Sequence, residues 1–142
     1  DFGMQKSVGG GNFLILAESQ TAALEASEEA VAAMRQVPDI IMPFPGGIVR
    51  SGSKTSSIYK GMTASTNTAY CPTIRQQVES VLPEGVNSVM EIVIDGLTEG
   101  AIAEAMRYGI AAACQPGVVR ISAGNYGGTL GQFQFHLKQI MA

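Results

Sequence analysis

The residue in this sequence best suited to acid–base chemistry is Glu91. It lies in an apolar run, between Val89 and Val93 on one face of a predicted strand. A carboxylate at such a position either faces solvent on an open sheet or lies beneath a covering layer. In the second case desolvation raises its pKa, and the group becomes a candidate proton donor or acceptor near neutral pH. Glu18 and Asp95, close to strand ends, are expected to be solvated.

A glycine- and serine-rich segment is a candidate binding loop. Gly47 and Gly52 have the spacing of a phosphate-binding loop, but Ser53 separates the second glycine from Lys54. In a phosphate-binding loop the lysine must follow the glycine directly to reach the terminal phosphates. Because it does not, and no amphipathic helix follows, nucleotide binding is disfavoured. The same residues could form an adaptable site for an anionic or amide-bearing ligand, or an ordinary polar surface loop.

A second glycine-rich segment, residues 123–128, places Asn125 and Tyr126 among three glycines. Glycines would let the backbone amides of this segment approach a ligand closely, whereas the alternative interpretation is a simple turn. The segment directly follows a predicted strand, where a loop is expected. It is therefore a second candidate for ligand binding.

Histidine and cysteine are too few for a metal centre of the zinc-finger kind. His136 is the only histidine, and Cys71 and Cys114 have no partner at ligand spacing. Any Ser–His or Cys–His pair would have to use His136. We interpret this histidine as a packed or surface residue, and the cysteines as reduced, unreactive thiols of a cytoplasmic protein.

The composition is that of a folded domain without a strongly basic surface. The chain has 142 residues, of which 46% are hydrophobic and 15% charged, with 9 Lys and Arg against 12 Asp and Glu. This balance excludes a disordered tail and argues against a nucleic-acid or anionic-membrane partner. The apolar run at 13–17 is too short to span a bilayer. The missing initial Met suggests a fragment or a processed chain.

Hydrophobic periodicity predicts two units, each of a strand, a polar turn and a capped, alanine-rich helix. In the first helix, capped by Ser19 or Thr21, we expect Leu24, Val31 and Met34 to form the buried stripe, with Ala23, Ala26 and Ala30 beside them. Thr98 caps the second helix, whose predicted buried stripe is Ile102, Ala105, Met106, Gly109, Ile110 and Ala113. The predicted elements are, in chain order, a glycine break at 9–11, strand 12–18, helix to about 35, strand 39–42, loop 51–57, helix 72–82, strand 86–95, helix 98–114, strand 118–122, loop 123–128 and strand 133–135.

The repeated unit predicts an α+β fold, a ferredoxin-like split βαβ sandwich in which helices pack on an antiparallel sheet. Since both faces of strand 12–18 are apolar, both faces of the sheet are expected to be covered. No linker divides the chain, so residues 1–142 are expected to form a single lobe.

Four strings of residues carry a resemblance to a known family. They are PFPGGIV at 43–49, SGSK at 51–54, EIVIDG at 91–96 and PGVVRISAGNYGG at 116–128. In this order and spacing they closely resemble formylmethanofuran:tetrahydromethanopterin formyltransferase. The resemblance covers essentially the whole chain but about the C-terminal half of the family's length. Thr129, where a lysine is usual, and looser similarity over 65–70 are departures.

The resemblance implies the C-terminal lobe of a two-lobed cytoplasmic enzyme of one-carbon metabolism. The family moves a formyl group between the amine of methanofuran and a ring nitrogen of tetrahydromethanopterin, in methanogenic archaea and methylotrophic bacteria. Both carriers are co-substrates, and the resemblance implies no metal and no tightly bound cofactor. It also implies a homotetramer with active sites near subunit interfaces.

The family's proposed catalytic glutamate falls on Glu91, the residue already singled out by its position. When an amine attacks the formamide carbonyl, the departing amine needs a proton, which a partly neutral carboxyl group can supply. Amides of glycine-rich loops could stabilise the oxyanion. The expected substrate-binding residues are Phe44, Gly46, Gly47, Ser51, Ser53, Lys54, Asn125 and Tyr126.

Two other functions are compatible with the same residues. The chain could be a ferredoxin-like ligand-binding or assembly lobe without catalysis of its own. It could also be the formyltransferase part of a larger formyltransferase/hydrolase complex.

Overall fold

The computed structural model describes residues 2–55, 60–124 and 131–142. The helices and strands are, in chain order, β1 Val8–Ala17, α1 Gln20–Met34, β2 Ile40–Ile41, β3 Val49–Arg50, β4 Ser53–Thr55, β5 Ala64–Thr66, β6 Ser88–Gly96, α2 Glu99–Ala113, β7 Val118–Ser122 and α3 Leu137–Ile140. Within these ranges no helix has the length and apolarity needed to cross a membrane.

The main sheet is antiparallel throughout, with the strand order β7–β1–β6 and with β2 and β3 both paired to the outer side of β6. The connection from β1 through α1 leads to β2 and β3, and the connection from β6 through α2 leads to β7. Each connection therefore skips one strand, which is the interleaved split βαβ topology. The predicted ferredoxin-like sandwich is confirmed. Strands β4 and β5 form a separate hairpin.

The side chains of β1 alternate between two apolar layers, as predicted. Phe13 and Ile15 are fully buried against α1 and α2, together with Ile92 and Ile94 of β6. On the other face, Leu14 and Leu16 pack in a second cluster whose remaining members are Val86, Val89, Tyr70 and Leu82. The segment between β5 and β6 thus covers one half of this face.

Both long helices begin at the predicted caps. The Ser19 hydroxyl accepts from the Ala22 amide at 3.1 Å, and the Thr98 hydroxyl accepts from the Ala101 amide at 3.1 Å. The predicted buried stripe of α2 is confirmed. In α1, the prediction that Leu24 is buried is wrong, because its side chain is 41% exposed. The other residues predicted for this side of α1 are buried, and Ser27 joins them; the buried residues are Ala23, Ala26, Ser27, Ala30, Val31 and Met34.

The glycines at 9–11 do not break the chain but lie within β1. Gly10 has a positive φ of 91°, and the register with β6 shifts between Val8 and Gly11, so the strand contains a bulge. The Gly10 amide donates to the Asp95 carboxylate at 3.0 Å. Asp95, expected to be solvated, is therefore half-buried, because it satisfies an amide at the bulge.

Three other predicted elements are wrong. The loop predicted at 51–57 contains β4, which pairs with β5; residues 56–59 lie outside the described residues. The predicted helix 72–82 is reduced to a single 3₁₀ turn, Pro72–Ile74, because the rest of the segment follows the sheet, with the Val81 amide bonded to the Ala69 carbonyl. Residues 133–135 form no strand and lead into α3, which periodicity did not predict.

Candidate active site

A cavity of about 650 Å³ lies over the half of the sheet face that the segment between β5 and β6 leaves uncovered. Its floor is formed by Asn12 of β1 with Glu91 and Val93 of β6. Its volume is within the range typical of pockets for small organic ligands. The sheet positions the floor rigidly, since β1 and β6 are its two central strands.

Glu91 is buried in this floor, with 4% of its side chain exposed. Leu14 of β1 lies opposite it on one side and Val49 of β3 on the other. Along its own strand the neighbours on the same face are Val89 and Val93. Of the two alternatives that the sequence left open for Glu91, solvent-facing or buried, the structure shows the buried one.

The Glu91 carboxylate has a hydrogen-bond donor on the neighbouring strand. The Asn12 side-chain amide donates from Nδ2 to Glu91 Oε1 at 2.8 Å. Sequence reasoning overlooked Asn12, although a signal was present, since it occupies the one polar position of the series Asn12, Leu14 and Leu16. A polar residue at the end of an apolar strand face is a candidate partner for a buried charge on the next strand.

Three of the predicted substrate-binding residues line the cavity. Phe44 precedes the turn at 45–47, and Ser53 and Lys54 lie on β4. All three side chains are exposed. The hairpin of β4 and β5, where a loop was predicted, is the element that brings Ser53 and Lys54 to the cavity wall. Together these residues offer an aromatic ring, a hydroxyl and an ammonium group.

Gly46, Gly47 and Ser51 do not line this cavity. Gly47 is buried with φ 86°, and a Cβ there would lie 2.9 Å from a Val31 methyl carbon of α1. Gly46, with φ 69°, forms the same turn, so both glycines direct the chain between Phe44 and β3. Ser51 is fully buried; its amide donates to the Val89 carbonyl at 3.2 Å. Its hydroxyl has no hydrogen-bond partner among the residues described.

The predicted residues Asn125 and Tyr126 lie outside the described residues, as does most of the predicted loop 123–128. The two residues before them, Ala123 and Gly124, line the cavity directly after β7.

The C-terminal segment forms a wall of the cavity that sequence reasoning did not assign to the site. Phe133, Phe135, His136 and Leu137 all line it. His136 is exposed, in agreement with a surface residue, but it faces the same cavity as Glu91. No local signal identifies these residues, because only the path of the chain after β7 brings them back to the sheet.

The cavity combines a buried carboxyl group, a cationic side chain, an imidazole and several aromatic or aliphatic walls. Such a set can bind a ligand with an apolar portion and an anionic group, and can move a proton at Glu91. In the described part of the chain no three His, Cys, Asp or Glu side chains cluster as a metal-ligand set.

The sequence model of the family described as "FTR, proximal lobe" matches residues 1–140. The formylmethanofuran–tetrahydromethanopterin formyltransferase of Methylococcus capsulatus is 62% identical, over 99% of this chain and 48% of that protein. The enzyme of the same name from Methanopyrus kandleri is 57% identical, over 98% of this chain and 47% of that protein. The chain thus spans about half the length of the curated relatives it matches.

Two solved structures are similar at 48% sequence identity. The formylmethanofuran:tetrahydromethanopterin formyltransferase from Methanosarcina barkeri superimposes with a TM-score of 0.87, over 94% of this chain and 46% of that one. The formyltransferase/hydrolase complex from Methylorubrum extorquens, in complex with methylofuran, gives 0.88 over 98% of this chain and 46% of that one. Since the family match extends over nearly every residue and the fold agrees with it, the chain belongs to the formylmethanofuran–tetrahydromethanopterin formyltransferase family, as its proximal lobe.

Proposed function

We propose that this chain is the proximal lobe of an N-formyltransferase that moves a formyl group between formylmethanofuran and tetrahydromethanopterin, or a close pterin relative. The observation that carries the proposal is Glu91, a buried carboxyl group in the floor of a ligand-sized cavity, in a chain of this family. The carriers are co-substrates of one-carbon metabolism, and no tightly bound cofactor takes part.

In the proposed reaction, a ring amine of the pterin attacks the formamide carbon, and a C–N bond forms as the carbonyl oxygen becomes an oxyanion. The attacking nitrogen then loses a proton, and the nitrogen of methanofuran must gain one before its C–N bond breaks. Glu91 accepts the first proton and delivers the second, so its carboxylate is regenerated at the end. A group that only relays a proton needs proximity to both nitrogens, and we assign this position to Glu91 in the cavity floor.

The other lining residues are assigned to carrier binding. The Lys54 ammonium group pairs with an anionic part of a carrier, and Ser53 donates or accepts a hydrogen bond beside it. Phe44 contacts an apolar or ring portion. Asn125 and Tyr126 are proposed to complete the site from the segment after Gly124, whose glycines let backbone amides approach the oxyanion. We assign no carrier contact to Gly46, Gly47 or Ser51. The two glycines shape the turn after Phe44, and Ser51 is bonded to β6, so these residues support the site through the backbone.

The full site is proposed to need more than this lobe. The relatives are about twice as long, so a second lobe and further copies of the chain complete the walls of the cavity. The relative from Methylorubrum extorquens is part of a formyltransferase/hydrolase complex. We propose that this lobe functions in a homo-oligomer or in an assembly of that kind.

The test is Glu91→Gln in the polypeptide that naturally carries this lobe, assayed for formyl transfer between the two carriers. We expect kcat to fall roughly 10²–10⁴-fold while the KM for each carrier changes little, because the amide cannot relay a proton. Glu104→Gln, at an exposed position of α2, is the matched control. Near-normal turnover of Glu91→Gln would remove Glu91 from the mechanism.

The second candidate function is a lobe that binds the carriers without catalysing transfer. It is worth testing because the chain spans only about half the length of its relatives. Calorimetry with each carrier, beside the transfer assay, separates the two functions. Carrier binding without any formyl transfer by the natural protein would support the binding lobe and overturn the enzymatic proposal.

A further inference from the structure

Asn12 reaches Glu91 diagonally across the two central strands. In the register of β1 with β6, Asn12 lies opposite Val93 and Leu14 lies opposite Glu91. Paired residues share a face of the sheet, so the Asn12 side chain leans along the strand to bring Nδ2 within 2.8 Å of Glu91 Oε1. Both residues line the same cavity.

The direction of this hydrogen bond restricts where Glu91 can hold a proton. A side-chain amide nitrogen donates two hydrogens and accepts none, whereas a carboxylate oxygen only accepts. Oε1 therefore faces a donor and cannot carry a proton directed at Asn12. A proton that Glu91 takes up must therefore point away from the Asn12 side chain.

Asn12 is itself held in place by the sheet and by α2. The preceding residue, Gly11, is buried, and a Cβ at that position would overlap the Ile102 side chain of α2. The backbone at this point therefore has little freedom to shift. A hydrogen-bond donor on a strand that cannot move fixes the orientation of the carboxyl group more precisely than one on a loop.

Other charged or titratable groups surround this pair. Lys54 and His136 line the cavity, Asp95 shares the face of Glu91 on β6 and is bonded to the Gly10 amide, and Arg120 of β7 lies opposite Leu16. These groups stay unchanged when Asn12 is substituted. A change caused by Asn12 can therefore be attributed to its own contact with Glu91.

We propose that Asn12 is a positioning residue for formyl transfer, which fixes the orientation of the Glu91 carboxyl group through its hydrogen bond to Oε1 and so directs the transferred proton away from the Asn12 side chain. This inference rests on the proposed function of Glu91 in proton transfer. The role of Asn12 is exerted through Glu91 and requires no contact with either carrier.

Two variants test it in the natural polypeptide. Asn12→Ala removes the donor, and we expect kcat to fall roughly 10- to 100-fold with each carrier's KM nearly unchanged, because a misplaced group loses rate rather than affinity. Asn12→Asp places a second carboxylate beside Glu91. Like charges raise the pKa of the pair, so the acid limb of the kcat–pH profile should move about one pH unit or more to higher pH.

Asn87→Asp is the matched control. The Asn87 side chain donates to the Glu18 and Gly85 carbonyls and accepts from Arg75, all outside the cavity, so this variant loses amide hydrogen bonds of the same type. We expect the pH profile of kcat to stay unchanged in this variant, because the new carboxylate is beside Arg75 and not beside Glu91. If Asn12→Asp does not fold, Asn12→Ala tests the proposal alone: a fall in kcat with nearly unchanged KM supports the positioning role of Asn12, and an unchanged kcat overturns it.

The outcomes separate this inference from the proposed function. Inactive Glu91→Gln, together with wild-type kcat and pH profile in both Asn12 variants, overturns the role of Asn12 alone. Active Glu91→Gln overturns the proposed function and, with it, this inference. Reduced kcat in Asn12→Ala and a shifted acid limb in Asn12→Asp support it.

Discussion

Leu14 on β1 and Glu91 on β6 lie directly opposite each other, so a carboxyl group faces a fully buried leucine across the centre of the sheet. Val49 faces the same carboxyl group from β3. Placing a carboxylate between apolar neighbours costs free energy of folding unless hydrogen bonds compensate. Residues kept at such a cost are typical of functional sites.

Glu91→Gln should therefore leave the fold intact. The glutamine side chain has nearly the same shape, and its oxygen can still accept from Asn12, while the cost of burying a charge disappears. We expect the free energy of unfolding at neutral pH to stay within about 1 kcal/mol of the wild-type value, or to rise. Chemical denaturation measures it. A loss of several kcal/mol would mean that the ionised carboxyl group is itself a structural element.

Lys54→Gln should weaken carrier binding more than catalysis. A charge-assisted hydrogen bond to an anionic carrier contributes about 1.5–3 kcal/mol, so we expect the KM for one carrier to rise about tenfold or more with a smaller change in kcat. The effect should diminish as ionic strength rises. Lys138→Gln, on the exposed side of α3 and away from the cavity, is the control. Equal KM values for both variants would exclude Lys54 from binding.

Ser51→Ala distinguishes a structural serine from a binding one. The Ser51 hydroxyl is buried and has no partner among the described residues, so its removal should keep or raise the free energy of unfolding, by up to about 1 kcal/mol. The KM for both carriers should not change. Ser53→Ala, in the cavity wall, should show the reverse pattern, with normal stability and a raised KM.

Gly109→Ala should destabilise the fold although alanine favours helices. A Cβ at Gly109 would overlap the Met34 side chain and lie 3.0 Å from a ring carbon of Phe13. Overpacking of this kind costs about 1–3 kcal/mol, which exceeds the gain of up to about 1 kcal/mol in helix propensity. Gly100→Ala, in the same helix, would place a Cβ in ordinary contact with the Thr98 hydroxyl oxygen at 3.9 Å and should be neutral or stabilising. Thermal or chemical unfolding of the two variants provides the comparison.

Periodicity predicted the elements that build the main layers of the fold. The strand around Phe13, the strand around Glu91 and both capped helices are present, because each has a long apolar face that determines its own period. Prediction failed where the pattern is short or where neighbours override it. Leu24 is exposed because the side of α1 that packs on the core is formed by alanines, Ser27, Val31 and Met34. The helix expected after Pro72 is reduced to one turn, because that segment packs against the sheet.

The residues of the candidate site were also predicted only in part. Its strings of residues identified the family and singled out Glu91, Phe44, Ser53 and Lys54, all of which line one cavity. Sequence alone could not exclude Ser51 from the site or add Asn12 and His136 to it. Whether a side chain enters a cavity depends on strand register and on the return path of the chain.

By itself, the sequence determined which segments are helices and strands in the two main units, and that Glu91 stands between apolar residues in one of these strands. These properties depend on neighbours a few positions apart along the chain. Only the tertiary structure decided what shares the cavity with Glu91. Asn12, Lys54 and His136 are far from it along the chain, and contacts between such distant residues arise only when strands pair and the C-terminal segment folds back over the sheet.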